Sequence, residues 1–189
     1  MSRSYMLTEE NVVAQVSEIA SRLTRLTDGL TGAQLNWQPD GGRAWSVGQC
    51  LDHVTITTHL YGGFIDQAVT AAPAAHARAA RPDLLGRGFI WFLEPPVRIK
   101  TPAPDTAQPR SSFDLVTVTS EAQGGLAYLQ ALTARAMKID AARTRFANPF
   151  AGGRRVFNVA TGILVMLAHA RRHLAQAEQA KARPDFPSA

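Results

Sequence analysis

The 189-residue chain contains a single cysteine, Cys50. One thiol excludes an intrachain disulfide and a cysteine-rich zinc site, so neither kind of staple organises the fold. Long hydrophobic runs are missing as well. The most apolar stretch, "VATGILVMLA" from Val159 to Ala168, falls far short of the roughly 20 residues a membrane-spanning helix needs, and it leads into histidine and arginine. The opening "MSRSYMLTEE" has no apolar core of signal-peptide length. These absences lead to the expectation of a soluble, cytoplasmic protein of a reducing compartment with no membrane partner. Internal repeats, low-complexity tails and sustained strand-like alternation are absent too. No phosphate loop, Ser-His-Asp set or paired-carboxylate constellation stands out.

Lys plus Arg number 20 against 15 Asp plus Glu, a formal charge of +5. A basic excess suits nucleic acid when it is clustered and interleaved with aromatic rings. Here the arginines are scattered. The nearest approaches to a cluster are Arg143/Arg145 with Arg154/Arg155 and the Arg171/Arg172 pair, and neither carries a stacking motif. No nucleic-acid partner is expected. With 46% hydrophobic and 19% charged residues, the composition is globular, and the length suits one domain over residues 1–189.

What is present is helical patterning. Val12, Val16, Ile19, Leu23, Leu26 and Leu30 recur in alternating steps of four and three, one seam of a helix from Thr8 to about Gly29. Ser46 and Gln49 in "SVGQ" form a capping box that opens a second helix, which runs to about Ala72. Prolines and glycines then punctuate a connector about 45 residues long, Pro73 to Val118, with a short helix around Leu84 to Leu93. A connector of that length can cross a bundle and leave the second and third helices parallel. "SEAQ" predicts a third helix from Ser120, with "FDLVTVT" (Phe113 to Thr119) as connector or lead-in. Asn158 caps a fourth, which ends near Arg183. The expectation is an all-α four-helix bundle.

The chemistry rests on histidines. His169 and His173 in "LAHARRHLAQ" lie four apart, about 40° around a helix axis and about 6 Å along it, so both rings can reach one ion. The same spacing fits two ordinary interior histidines. His53 in "CLDHV" leans from the second helix toward the same interior. Three inward imidazoles are costly without partners, and one metal would satisfy all three. Three neutral imidazoles plus water form an open site of the kind that suits catalysis. Gln49 and Gln176 can hydrogen-bond a water or substrate there, although the capping box already claims Gln49. Thr57 and Tyr61 line the open side together with the connector. Asp52 diverges from its neighbour His53 and is not its natural partner. Cys50 reads as an inert buried thiol, His59 as surface or packing, and His76 as solvated.

Taken in order, "WSVGQCLDHV" from Trp45, the proline-rich "IKTPAPDTAQP" and "HARRHLAQ" from His169 resemble the DinB-like superfamily over essentially the whole chain. The resemblance implies an up-down-down-up bundle with a long crossover between helices two and three, and it places the family's metal histidines on His53, His169 and His173. It implies a divalent metal ion, zinc or nickel, and a homodimer. Several relatives are metal-dependent transferases or isomerases that use a low-molecular-weight thiol such as bacillithiol or mycothiol, which makes a thiol S-transferase acting on a small-molecule substrate the expected activity. One position departs from the pattern: relatives often carry Glu after the first helix-four histidine, where this chain has Ala170, and this weighs against a hydrolase. The rival expectation is a non-catalytic protein that uses the same bundle to bind a small ligand or a partner.

Overall fold

The structure is a computed structural model that describes residues 5–76, 78–97, 99 and 101–188. Its helices in chain order are α1 (Glu9–Thr27), α2 (Gly32–Asn36), the four-residue turn α3 (Pro39–Gly42), α4 (Val47–Ala71), α5 (Leu84–Leu93), α6 (Leu115–Ala136) and α7 (Val159–Lys181). Among the described residues only isolated bridges represent β structure. The chain is therefore all-α, with four long helices forming the bundle.

Local chemistry explains where these helices begin. The Thr8 hydroxyl accepts from the Asn11 amide at the start of α1, and Glu9 and Glu10 face the positive end of its dipole. Ser46 and Gln49 make the reciprocal capping box of α4. Asn158 caps α7 through the Thr161 amide.

Two starts differ from the sequence expectation. The third long helix, α6, begins at Leu115 rather than Ser120, because Asp114 accepts from both the amide and the hydroxyl of Thr117. Its β-branched first turn stays helical because the cap is satisfied and Val118 is buried. In the loop after α1, Thr31 and Gln34 form a further capping box that nucleates α2.

Side-chain ladders set the directions of the long helices. Along α4 and α6, Thr58 meets Gly125, Gly62 meets Tyr128 and Asp66 pairs with Arg135, so the two run parallel. Along α1 and α7, Gln15 bonds Arg171, Arg22 bonds Glu178 and the Leu26 carbonyl accepts from Lys181, again a parallel pair. Against α7, α4 runs the opposite way: His53 lies beside His169, while Ile65 packs at Gly162.

The first half of α7 has no exposed face. Val159 through Ala168 are all buried, because α1, α4 and α5 surround the helix. Close approach requires small residues there. A Cβ at Gly86 of α5 would sit 2.2 Å from Thr161 Cγ2, and one at Gly162 would sit 2.6 Å from Ile65 Cδ1.

Arg171 is buried too, donating to Glu94 at 3.0 Å and to Gln15 at 2.8 Å. This pair joins α7 to α1 and to the end of α5. A buried ion pair of this kind adds little net stability, but losing one partner leaves an uncompensated charge. No helix among the described residues is long and apolar enough to cross a membrane.

Candidate metal centre

Antiparallel packing of α4 on α7 carries His53 to His169 and His173. One ligand nitrogen from each lies within 4.8 Å of the others, and the ring centroids are 4.4 to 5.0 Å apart. The helical spacing of His169 and His173 thus becomes a cluster once the facing helix supplies His53. Trp45, just before the α4 cap, walls the cluster, its ring 4.7 Å from His53 and 5.6 Å from His173.

The hydrogen bonds on the other edge of each ring determine what the cluster presents. The Ala107 carbonyl can only accept, so His53 Nδ1 donates to it at 2.6 Å. The Thr57 hydroxyl donates to the His53 carbonyl at 2.7 Å and therefore accepts from His169 Nδ1 at 3.3 Å. His173 Nδ1 donates to Gln176 Oε1 at 3.0 Å. With each Nδ1 holding the ring's proton, all three Nε2 atoms carry lone pairs. His53 Nε2 and His169 Nε2 then face each other at 3.2 Å with no proton between them. Two nitrogens bound to one tetrahedral ion at about 2.1 Å would lie about 3.4 Å apart, so the spacing fits a shared cation.

Electrostatics keep the rings neutral. Burial pushes all three imidazoles below their ordinary value. For His173 burial dominates, neighbouring His53 and Arg172 add to it, and the value falls to about 3. His169 is pushed well down by burial and then by His173, His53 and Arg172. For His53, burial outweighs the opposing pull of the Ala107 hydrogen bond and the Asp52 carboxylate.

The connector holds its part of the site through Asp52. This buried carboxylate accepts from the Arg110 backbone at 2.8 Å and from the Arg110 side chain, pinning the chain three residues after Ala107. Asp52 does not bond the neighbouring imidazole; it holds the segment that orients it.

The histidines open onto a cleft of about 1060 Å³, lined on one side by α5 and the connector. Of the other expected site residues, Thr57, Tyr61 and Gln176 line it. Tyr61 is raised by burial, and its hydroxyl accepts from Asn148 at 3.2 Å. Gln49 does not reach the cleft: its carboxamide oxygen is taken by the Ser46 amide and by Gln38. Cys50 is fully buried and its thiol is pushed upward, so it offers no thiolate. His59 stacks on Tyr128, and His76 is exposed. Sequence reasoning missed the Ala107 carbonyl and the role of the Trp45 ring, and it left the direction of Arg172 open.

A family model for the DinB superfamily matches residues 15–177, which contain every element of the site. The chain belongs to the DinB superfamily. Neither the curated proteins nor the solved structures contain a match to it. In superfamily terms, the chain keeps three close histidines able to hold a divalent metal, two on the last helix and one on the helix antiparallel to it.

Proposed function

We propose that this DinB superfamily member holds one divalent metal, zinc or nickel, through His53, His169 and His173 and works as a transferase of a low-molecular-weight thiol. The observation that carries the reading is the convergence of three Nε2 lone pairs whose rings are each fixed by an Nδ1 hydrogen bond. A bound ion would supply Lewis acidity there, lowering the pKa of a thiol or water ligand. Thr57, Gln176 and the Ala107 carbonyl orient the three rings, and Trp45 shields one side from water.

The cleft wall favours a thiol as nucleophile over an activated water. Asp40 is the one carboxylate among its described lining residues, and it is paired with Arg183 at 3.0 Å. Together with Ala170 in the acidic position common among relatives, this leaves no evident carboxylate base for hydrolysis. A purely non-catalytic role would suit a cavity too narrow for a thiol and an acceptor together, whereas about 1060 Å³ is ample for two small molecules.

Metal content measured by mass spectrometry on tag-free protein tests the site. Near one ion per chain is expected in wild type, with loss in both His53→Ala and His169→Ala. No metal in wild type after zinc and nickel have been supplied would remove the reading. A loaded protein that fails to join any thiol to any electrophile in a screen would leave a metal site and remove the transferase.

A further inference from the structure

Arg172 lies between the two α7 histidines in sequence, yet it hydrogen-bonds neither of them. Its neighbour Arg171 is saturated by Glu94 and Gln15. Arg172 is only 5% exposed and has no carboxylate partner among the described residues. Its Nη2 donates to the Ile99 carbonyl, its guanidinium lies 5.7 Å from the Phe92 ring, and its buried Nη1 has no hydrogen-bond partner. Burying a guanidinium with an unused donor is unfavourable unless something occupies that donor part of the time.

The surroundings say what that something is. Val165, His169, Arg172 and Gln176 follow one stripe of α7 and all line the cleft. Phe89, Leu93 and Phe157 supply apolar walls there. With Asp40 already paired to Arg183, nothing anionic in the described lining balances Arg172.

We propose that Arg172 is an anion subsite of the cleft: its side chain turns to bring the unused, buried Nη1 onto the carboxylate of an organic ligand, while the apolar walls hold the ligand's body and its far end reaches the histidines. Only the last clause rests on the metal reading. Planar, hydrogen-bond-directed recognition of a carboxylate is the task for which arginine, rather than lysine, is suited.

The test titrates benzoate and its neutral isostere benzamide at pH 8 into metal-replete protein and into protein stripped with a chelator. Benzoate is expected to bind at least tenfold more tightly than benzamide in both forms. Arg172→Gln should erase the preference while leaving benzamide affinity and metal content unchanged, and Arg172→Lys should keep part of it. Equal binding of the two probes, or a preference that survives in Arg172→Gln, overturns the subsite. A preference that needs the metal and ignores Arg172 places the carboxylate at the histidines and also overturns it. If the chain holds no metal at all, the preference must still be present. Wild-type crystals grown with 4-bromobenzoate give a readout independent of variant folding. The bromine's anomalous signal should place the carboxylate at Arg172, and a carboxylate elsewhere removes the proposal.

Discussion

At the scale of single residues, the site depends on groups that do not themselves offer a nitrogen to the ion. A histidine can direct Nε2 at a metal only if something holds its Nδ1 proton, and here three different acceptors do so: a connector carbonyl, a threonine hydroxyl and a glutamine carboxamide. Removing such an acceptor leaves the imidazole in place but frees its tautomer and rotation. Thr57→Val and Gln176→Leu should therefore each weaken zinc binding by about 10- to 100-fold in competition with a chromophoric chelator. Helical content by circular dichroism should not change. Gln49→Ala is the informative contrast, because that side chain serves the α4 cap. It should lower stability by about 1 kcal/mol and leave zinc affinity as it was. If the three variants lost affinity equally, general loosening would account for the result and the tautomer argument would fail.

Among the elements, the crossing of α5 over α7 forms one wall of the cleft, and it depends on Gly86. Thr161, which a Cβ there would strike, cannot swing away: it is fully buried, β-branched, and its hydroxyl lies 3.3 Å from an Asp83 oxygen and accepts from the Asp83 amide. Gly86→Ala should cost about 1 to 3 kcal/mol in a denaturant melt despite alanine's better helix propensity. A neutral or stabilising result would mean that α5 rides further from α7. Nothing in the sequence marks that contact, since a glycine in a short apolar helix reads as a weak position and no more. Caps, by contrast, were legible, because Thr8, Ser46 and Asn158 act within three residues of themselves. The start of α6 was misplaced because two competing caps, Asp114 and Ser120, lie six residues apart, and burial of Val118 decides between them. The three histidines could be singled out from spacing, whereas the Ala107 carbonyl could not. Every residue has a carbonyl, and only the path of the connector selects this one. Arg171 and Arg172 look equivalent in sequence, and tertiary packing alone gives a partner to the first and leaves the second with an unused donor.

For the molecule as a whole, three neutral imidazoles, His53 and His173 buried and His169 half-buried, link folding to pH. In an unfolded chain each would titrate near 6.5, while in the folded, metal-free protein all three are held lower, chiefly by burial. Above pH 6.5 both states carry neutral rings, and the cluster adds no pH dependence. As the pH falls below 6.5, the unfolded chain takes up protons that the folded one refuses, so stability declines toward the folded value, about 3 for His173. For that residue alone, the loss between pH 8 and pH 5 is about 2 kcal/mol. Chelator-stripped protein should therefore show a melting temperature that drops across this range, and His173→Leu should drop less. A metal that binds only the folded chain would raise the curve at pH 8, where protons do not compete for the nitrogens. The gain should shrink toward pH 5. Melts of stripped and zinc-loaded protein at pH 8, 6.5 and 5 separate the possibilities. A flat stripped curve, or one with the same slope in His173→Leu, would mean that the imidazoles titrate freely and are not held neutral by the fold. A falling stripped curve without any zinc-induced rise at pH 8 would leave the buried cluster intact and remove the metal from it.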